Sequence, residues 1–126
     1  MQKIEIPPGK TTLGVTLDPL AGLLEFAGVS YPSNPKTFFE PIIDWTNEYL
    51  EVKKCNEVKI IFRVTYFNTS SSVYLFRILE LFDDAATKGI KTNVECYYYQ
   101  EQDEAVDSFK WLFSELDINY RLLKIK

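Results

Sequence analysis

The chain has 126 residues, 46% of them hydrophobic and 25% charged, enough for one globular domain over residues 1–126 with a core of its own. Its 14 Lys and Arg are scattered and outnumbered by 18 Asp and Glu, a net charge of −4 that excludes the concentrated basic face needed for nucleic acid or an anionic membrane surface. Histidine is absent, which removes His-based triads, histidine phosphotransfer and nearly all zinc chemistry.

The first predicted elements lie in "GVTLDPLAGLLEFAG", where two short β-like runs, Val15 to Leu17 and Leu23 to Ala27, flank a turn containing Pro19 and Gly22. They read as an N-terminal hairpin. "SNPKTFFEPIIDWTNEYLEV" then carries Phe38, Ile42, Trp45 and Tyr49 on one helical face. Asn34 and Pro35 suit a cap and first turn, but Pro41 lacks the N–H that an interior position requires. Either the regular helix begins near Glu40 or it is kinked at Pro41. "VKIIFRVTYF", Val58 to Phe67, is apolar on both alternating sets apart from Arg63 and Thr65, the pattern of a central strand covered on both faces. Ile60, Phe62, Phe82 and Trp45 are expected in the core.

After Ser70 the period changes. Leu75, Ile78, Leu79, Phe82 and Ala86 form a helical stripe that ends before Gly89. "KTNVECYYYQ" reads as a strand in which Tyr98 faces opposite to Tyr97 and Tyr99. "DEAVDSFKWLF" is a further helix, with Asp103 and Glu104 at the positive end of its dipole, and "NYRLLKI" is a last strand. The order ββαβαβαβ predicts an α/β single-domain sandwich, an N-terminal hairpin followed by a βαβαβ-type sheet with crossover helices.

Little in the sequence points to catalysis. The five glycines stand singly and form no phosphate-binding loop, and no cofactor is expected. An enzyme built from this chain would have to rely on carboxylates, Tyr or Lys, of which no close constellation stands out. Cys55 and Cys96 lie far apart without a CxxC spacing, "MQKIEIPPGK" has no apolar leader core, and no apolar run approaches a membrane span. A cytoplasmic protein with reduced thiols is the expectation.

The densest signal is "YFNTSSSVY", Tyr66 to Tyr74, where five small polar residues stand at the junction of the central strand and the next helix. Capping a helix uses one or two of them. In open α/β sheets this carboxyl end of the strands is where ligands and partners are met, and a helix N-terminus there favours anions. Tyr31 and Pro32 follow Gly28 in a loop that is either an ordinary turn or part of a partner surface. On the helix after Thr69, Tyr74, Arg77, Leu81 and Asp84 form a second row whose mixture suits an interface. Tyr74 and Arg77 are expected to be exposed, so that replacing them changes binding more than stability.

"GVSYPSNP", Gly28 to Pro35, followed by Phe38, Phe39, Pro41, Trp45, Tyr49 and Leu50 and then by "YFNTSSS", resembles the SiaC-type regulatory phosphoproteins of bacteria. The resemblance implies a fold like that of the anti-sigma-factor antagonists and a switch that is not an enzyme. It implies phosphorylation of Thr69 by a dedicated serine/threonine kinase and dephosphorylation by a PP2C-like phosphatase. It further implies that the unphosphorylated form binds and activates a diguanylate cyclase, so that cyclic di-GMP output follows the phosphorylation state. Tyr31, Pro32, Asn68, Ser70, Ser71, Tyr74 and Arg77 are the candidate partner-binding residues. In the anti-sigma-factor antagonists the equivalent turn usually carries Asp where this chain has Asn68. An antagonist-type partner switch is the second reading, and a small-molecule or nucleotide-binding module the third.

Overall fold

The computed structural model describes residues 1–52, 57–99 and 103–125. Six strands, β1 (Ile4–Ile6), β2 (Gly14–Asp18), β3 (Leu23–Ser30), β4 (Glu57–Phe67), β5 (Lys91–Tyr99) and β6 (Asn119–Ile125), lie side by side in chain order. β1 with β2 and β2 with β3 pair antiparallel, whereas β3 to β6 run parallel. Parallel neighbours require a crossover, and α1 (Pro35–Val52), α2 (Thr69–Ala85) and α3 (Asp103–Phe113) supply the three. Each crossover moves one strand in the same direction, so crossovers of one hand bring all three helices to the same face of the sheet.

Burial records that layering. Val15, Leu17, Leu24, Phe26, Val58, Ile60, Phe62, Val64, Val94 and Cys96, which alternate along their strands and meet in register, are buried in one cluster with the apolar faces of the helices. Phe62 stacks on Phe26 at 5.3 Å and meets Phe109 and Phe113 of α3. Among the described residues, the other face has no helical cover. There Lys59 pairs with Glu95 at 3.5 Å, Arg63 pairs with Glu25 at 3.7 Å, and the Arg63 guanidinium lies 4.3 Å from the Tyr97 ring centroid. The two-sided cover expected for β4 is therefore wrong: its second apolar set is half-buried Ile61 among charged and polar residues.

Several local expectations change for identifiable reasons. The hairpin is present as β2 and β3, its turn held by the Asp18 carboxylate, which accepts from the N–H groups of Leu20 and Ala21 at 3.1 Å each. A short strand, β1, precedes it and pairs with β2. Helix α1 starts at Pro35, not near Glu40, with Asn34 Oδ1 accepting from Thr37 N–H at 3.3 Å, and runs through Pro41. An interior proline costs an isolated helix about 3 kcal/mol. Burial of Phe39, Ile42, Trp45 and Tyr49 on the core offsets that loss. In α2 the inward stripe ends at Ala85, whereas Ala86 is exposed because a 3-10 turn over Ala86–Lys88 has already left the helical register, closed by Gly89 at φ +85°. Of the cysteines, Cys96 is buried in the core and its thiol is pushed up to about 12 by desolvation. Cys55 lies outside the described residues.

Among the described residues, no helix is long and apolar enough to cross a membrane.

Candidate functional site at the start of α2

A defect in β4 shapes the carboxyl end of the sheet. The pairing of β3 with β4 slips between Gly28 and Val29, so Val64 lies opposite Gly28 while Tyr66 lies opposite Val29, leaving Thr65 as the extra residue of a bulge. Gly28 sits at φ +98°, which side chains other than hydrogen rarely tolerate, and Thr65 Oγ1 donates to its carbonyl at 3.3 Å. The extra residue reverses the alternation. Tyr66 leaves the core side and becomes exposed, its ring 6.0 Å from that of Tyr31, while Phe67 turns inward onto Phe109 at 6.2 Å.

The five polar residues divide between two duties. Asn68 is the N-cap, its side chain accepting from Ser71 N–H at 2.9 Å. Ser71 is wholly buried: its hydroxyl donates to the Ser30 carbonyl at 3.0 Å, so the Ser30 hydroxyl is left to donate to Ser71 Oγ across 2.7 Å. Ser30 O also accepts from Asn68 N–H at 3.0 Å. These bonds fasten the first turn of α2 to the last residue of β3. Ser72 Oγ turns back to the Thr69 carbonyl at 2.6 Å. Only Thr69 and Ser70 face outward, at the first two positions of the helix, where their backbone N–H groups have no intrahelical acceptor. We expect Asn68→Ala to lower stability by about 0.5–2 kcal/mol in urea unfolding, the usual effect of losing an N-cap.

Beside Thr69 lies an open depression of about 320 Å³, lined by Phe67, Asn68, Thr69, Ser72, Asp107, Ser108 and Trp111. A smaller hollow of about 80 Å³ shares Phe67 and Ser108 with it and extends toward Tyr66. Among the described residues this depression is open to solvent and not an enclosed cavity. Among the described residues no three His, Cys, Asp or Glu groups are placed to hold a metal ion.

The sequence-predicted site residues separate accordingly. Asn68, Thr69, Ser70 and Ser71 belong to one turn, but Ser71 is buried in the Ser30 latch and therefore presents no surface to a partner. Pro32 is likewise buried, whereas its neighbour Tyr31 is 45% exposed. Tyr74 is not the free surface residue expected: it is half-buried, with its ring stacked on Phe39 at 5.3 Å and 5°. Arg77 is exposed, 5.8 Å from the Tyr74 ring, and stands eight residues or about 12 Å along the helix from Thr69. Ser30, Tyr66, Asp107 and Trp111 were not singled out. Ser30 sits inside "GVSYPSNP", and Trp111 betrays itself by falling off the stripe of Ala105, Phe109, Leu112 and Phe113 that α3 buries.

The sequence profile of a family described as "SiaC family regulatory phosphoprotein" matches residues 6–123. An uncharacterized protein of Pseudomonas aeruginosa (strain UCBPP-PA14) is 30% identical over 115 residues, covering 91% of this chain and 90% of that protein. Three solved structures share the fold. Apo-SiaC from Pseudomonas aeruginosa superposes with a TM-score of 0.89 at 24% identity, covering 98% of this chain and 99% of that one. A second structure of SiaC from the same organism gives 0.88 at 25% identity, over 99% and 100% of the two chains. A chain from the crystal structure of diguanylate cyclase SiaD in complex with its activator SiaC, also from Pseudomonas aeruginosa, gives 0.90 at 24% identity, over 97% and 99%.

Proposed function

This chain belongs to the SiaC family of regulatory phosphoproteins, and we propose that it is a binding partner switched at Thr69, whose unphosphorylated form binds and activates a diguanylate cyclase. A serine/threonine kinase adds the phosphate and a PP2C-like phosphatase removes it, both acting in the cytoplasm. The relative in the solved complex is named as the activator of its cyclase, and its chain has the same fold.

One observation carries the reading. Of the eight large apolar residues that are exposed among the described ones, four gather near exposed Thr69: Trp111 and Tyr66 line the two adjoining hollows, Tyr31 packs on Tyr66, and Val73 lies one turn along α2. Aromatic surface concentrated around a polar turn is the composition of a protein interface, and large exposed apolar groups mark such sites. A hydroxyl in its midst can be reached by a kinase when the partner is absent and is covered when the partner is bound. Phosphorylation and partner binding then exclude each other.

Phosphopeptide mapping of protein purified with and without its kinase tests the assignment. Phosphate on Thr69 supports it; phosphate confined to Ser70 or to a distant residue removes it. Arg77 gives a second check on the extent of the surface. Arg77→Glu is expected to weaken cyclase binding in calorimetry while leaving the Tm nearly unchanged, since exposed helix positions alter stability by less than about 0.5 kcal/mol. Tyr74 is unsuitable for this purpose, because its stack on Phe39 makes any substitution a stability change as well.

A further inference from the structure

Trp111 is 61% exposed on a helix whose other large apolar side chains, Phe109, Leu112 and Phe113, are buried. Its indole makes no contribution to the core that would account for a residue of that size. With Phe67 it supplies the apolar wall of the depression that Thr69, Asn68 and Ser72 close from the opposite side. Among the described residues no Lys or Arg lines this depression, and Asp107 is its one charged group. An apolar side chain flanked by a hydrogen-bond donor for Asp107 therefore suits the space. An anionic group does not, since it would meet a carboxylate with no cation among the lining residues to hold it.

We infer that Trp111 anchors the surface that meets the cyclase, with the partner inserting an apolar side chain between Trp111 and Phe67, and that a phosphate on Thr69 acts by closing the mouth of this depression without entering it. The inference rests on the Thr69 switch set out above and gives Trp111 of α3 the anchoring role on that surface. The partner's side chain and the phosphate thus exclude each other at that mouth. Charge repulsion from Asp107 turns the phosphate toward the free N–H groups of α2, across the mouth of the apolar wall. Tryptophan is the residue type most enriched among side chains that dominate interface energetics, and truncating such an anchor removes its contact with little change in the fold.

Calorimetric titration of the cyclase with wild-type protein, Trp111→Ala, Trp111→Phe and Thr69→Glu separates this inference from the reading beneath it. Trp111→Ala is expected to weaken binding about tenfold or more while Trp111→Phe retains most of the affinity. Both variants should melt with the wild type and still accept phosphate on Thr69. Wild-type affinity in Trp111→Ala together with weak binding by Thr69→Glu overturns the role of Trp111 and leaves the switch intact. Wild-type affinity in both variants removes the switch itself. Iodide quenching needs no cyclase: Trp45 is 6% exposed, so iodide reaches Trp111 alone. A phosphate beside Trp111 is expected to lower the iodide quenching constant about twofold through charge repulsion at low salt, with neutral acrylamide less affected. Equal iodide constants in the two forms overturn the placement of the phosphate across the mouth.

Discussion

Phe62→Ala is expected to destabilise the protein by about 3–5 kcal/mol, a large part of the roughly 5–15 kcal/mol that holds a domain of this kind together. The residue is 1% exposed at the middle of β4, and its ring touches Phe26 on one neighbouring strand and Phe109 and Phe113 on the helix above. Truncation removes apolar surface and leaves a cavity that three stiff rings from two other elements have little freedom to fill. Denaturant unfolding, followed by far-ultraviolet circular dichroism, checks the figure. A loss below about 1 kcal/mol would contradict a core centred on β4.

The second large effect concerns Thr69. Phosphate there adds about −1.5 to −2 charges at pH 7, and the helix N-terminus favours an anion by about 0.3–1 kcal/mol, so the fold tolerates the modification. On the proposed switch, the partner does not. A bulky dianion in a surface shaped around a hydroxyl, beside Asp107, adds steric conflict and desolvation, and a loss of about 3 kcal/mol weakens binding more than a hundredfold. Thr69→Ala is accordingly expected to bind the cyclase like the unmodified protein and to resist being switched off. Thr69→Glu should fold normally and bind poorly, though less poorly than the phosphoprotein because a carboxylate is smaller and carries less charge. Equal affinities for the Ala and Glu variants would remove Thr69 from the interface.

Regular periodicity made much of this architecture legible. The stripe of α3 and the apolar runs of β5 and β6 carry enough repeats for the period to identify them, and their bounds agree with the structure save for Gln100, which lies outside the described residues. Strand β1 was illegible because Ile4–Ile6 is too short to show alternation and two prolines follow it. The bulge at Thr65 was hidden for a different reason. An extra residue changes which face a side chain meets without changing local composition, so Tyr66 and Phe67 exchange the sides that strict alternation assigns them.

The candidate site was legible as chemistry and not as packing. Asn, Thr and Ser at a strand-to-helix junction identify a capped and accessible turn, and the resemblance singles out Thr69 within it. Which hydroxyl points inward depends on Ser30, 41 residues away from Ser71 in the chain, a contact that local sequence does not encode. One-sided cover of the sheet was missed in the same way. Ile61 looks like a core residue until the direction of all three crossovers is known, and only then does its face prove to be the one the helices leave open.

That strand order repeats chain order bears also on how the molecule is assembled. The β2–β3 hairpin is the one local pairing of long strands, and each later strand joins the outer edge left by its predecessor after one helix has been laid down. No strand has to be threaded between two that are already paired. A chain emerging from the ribosome N-terminus first can therefore add its sheet in the order of synthesis, exposing a single growing edge whose next occupant is always the next strand made.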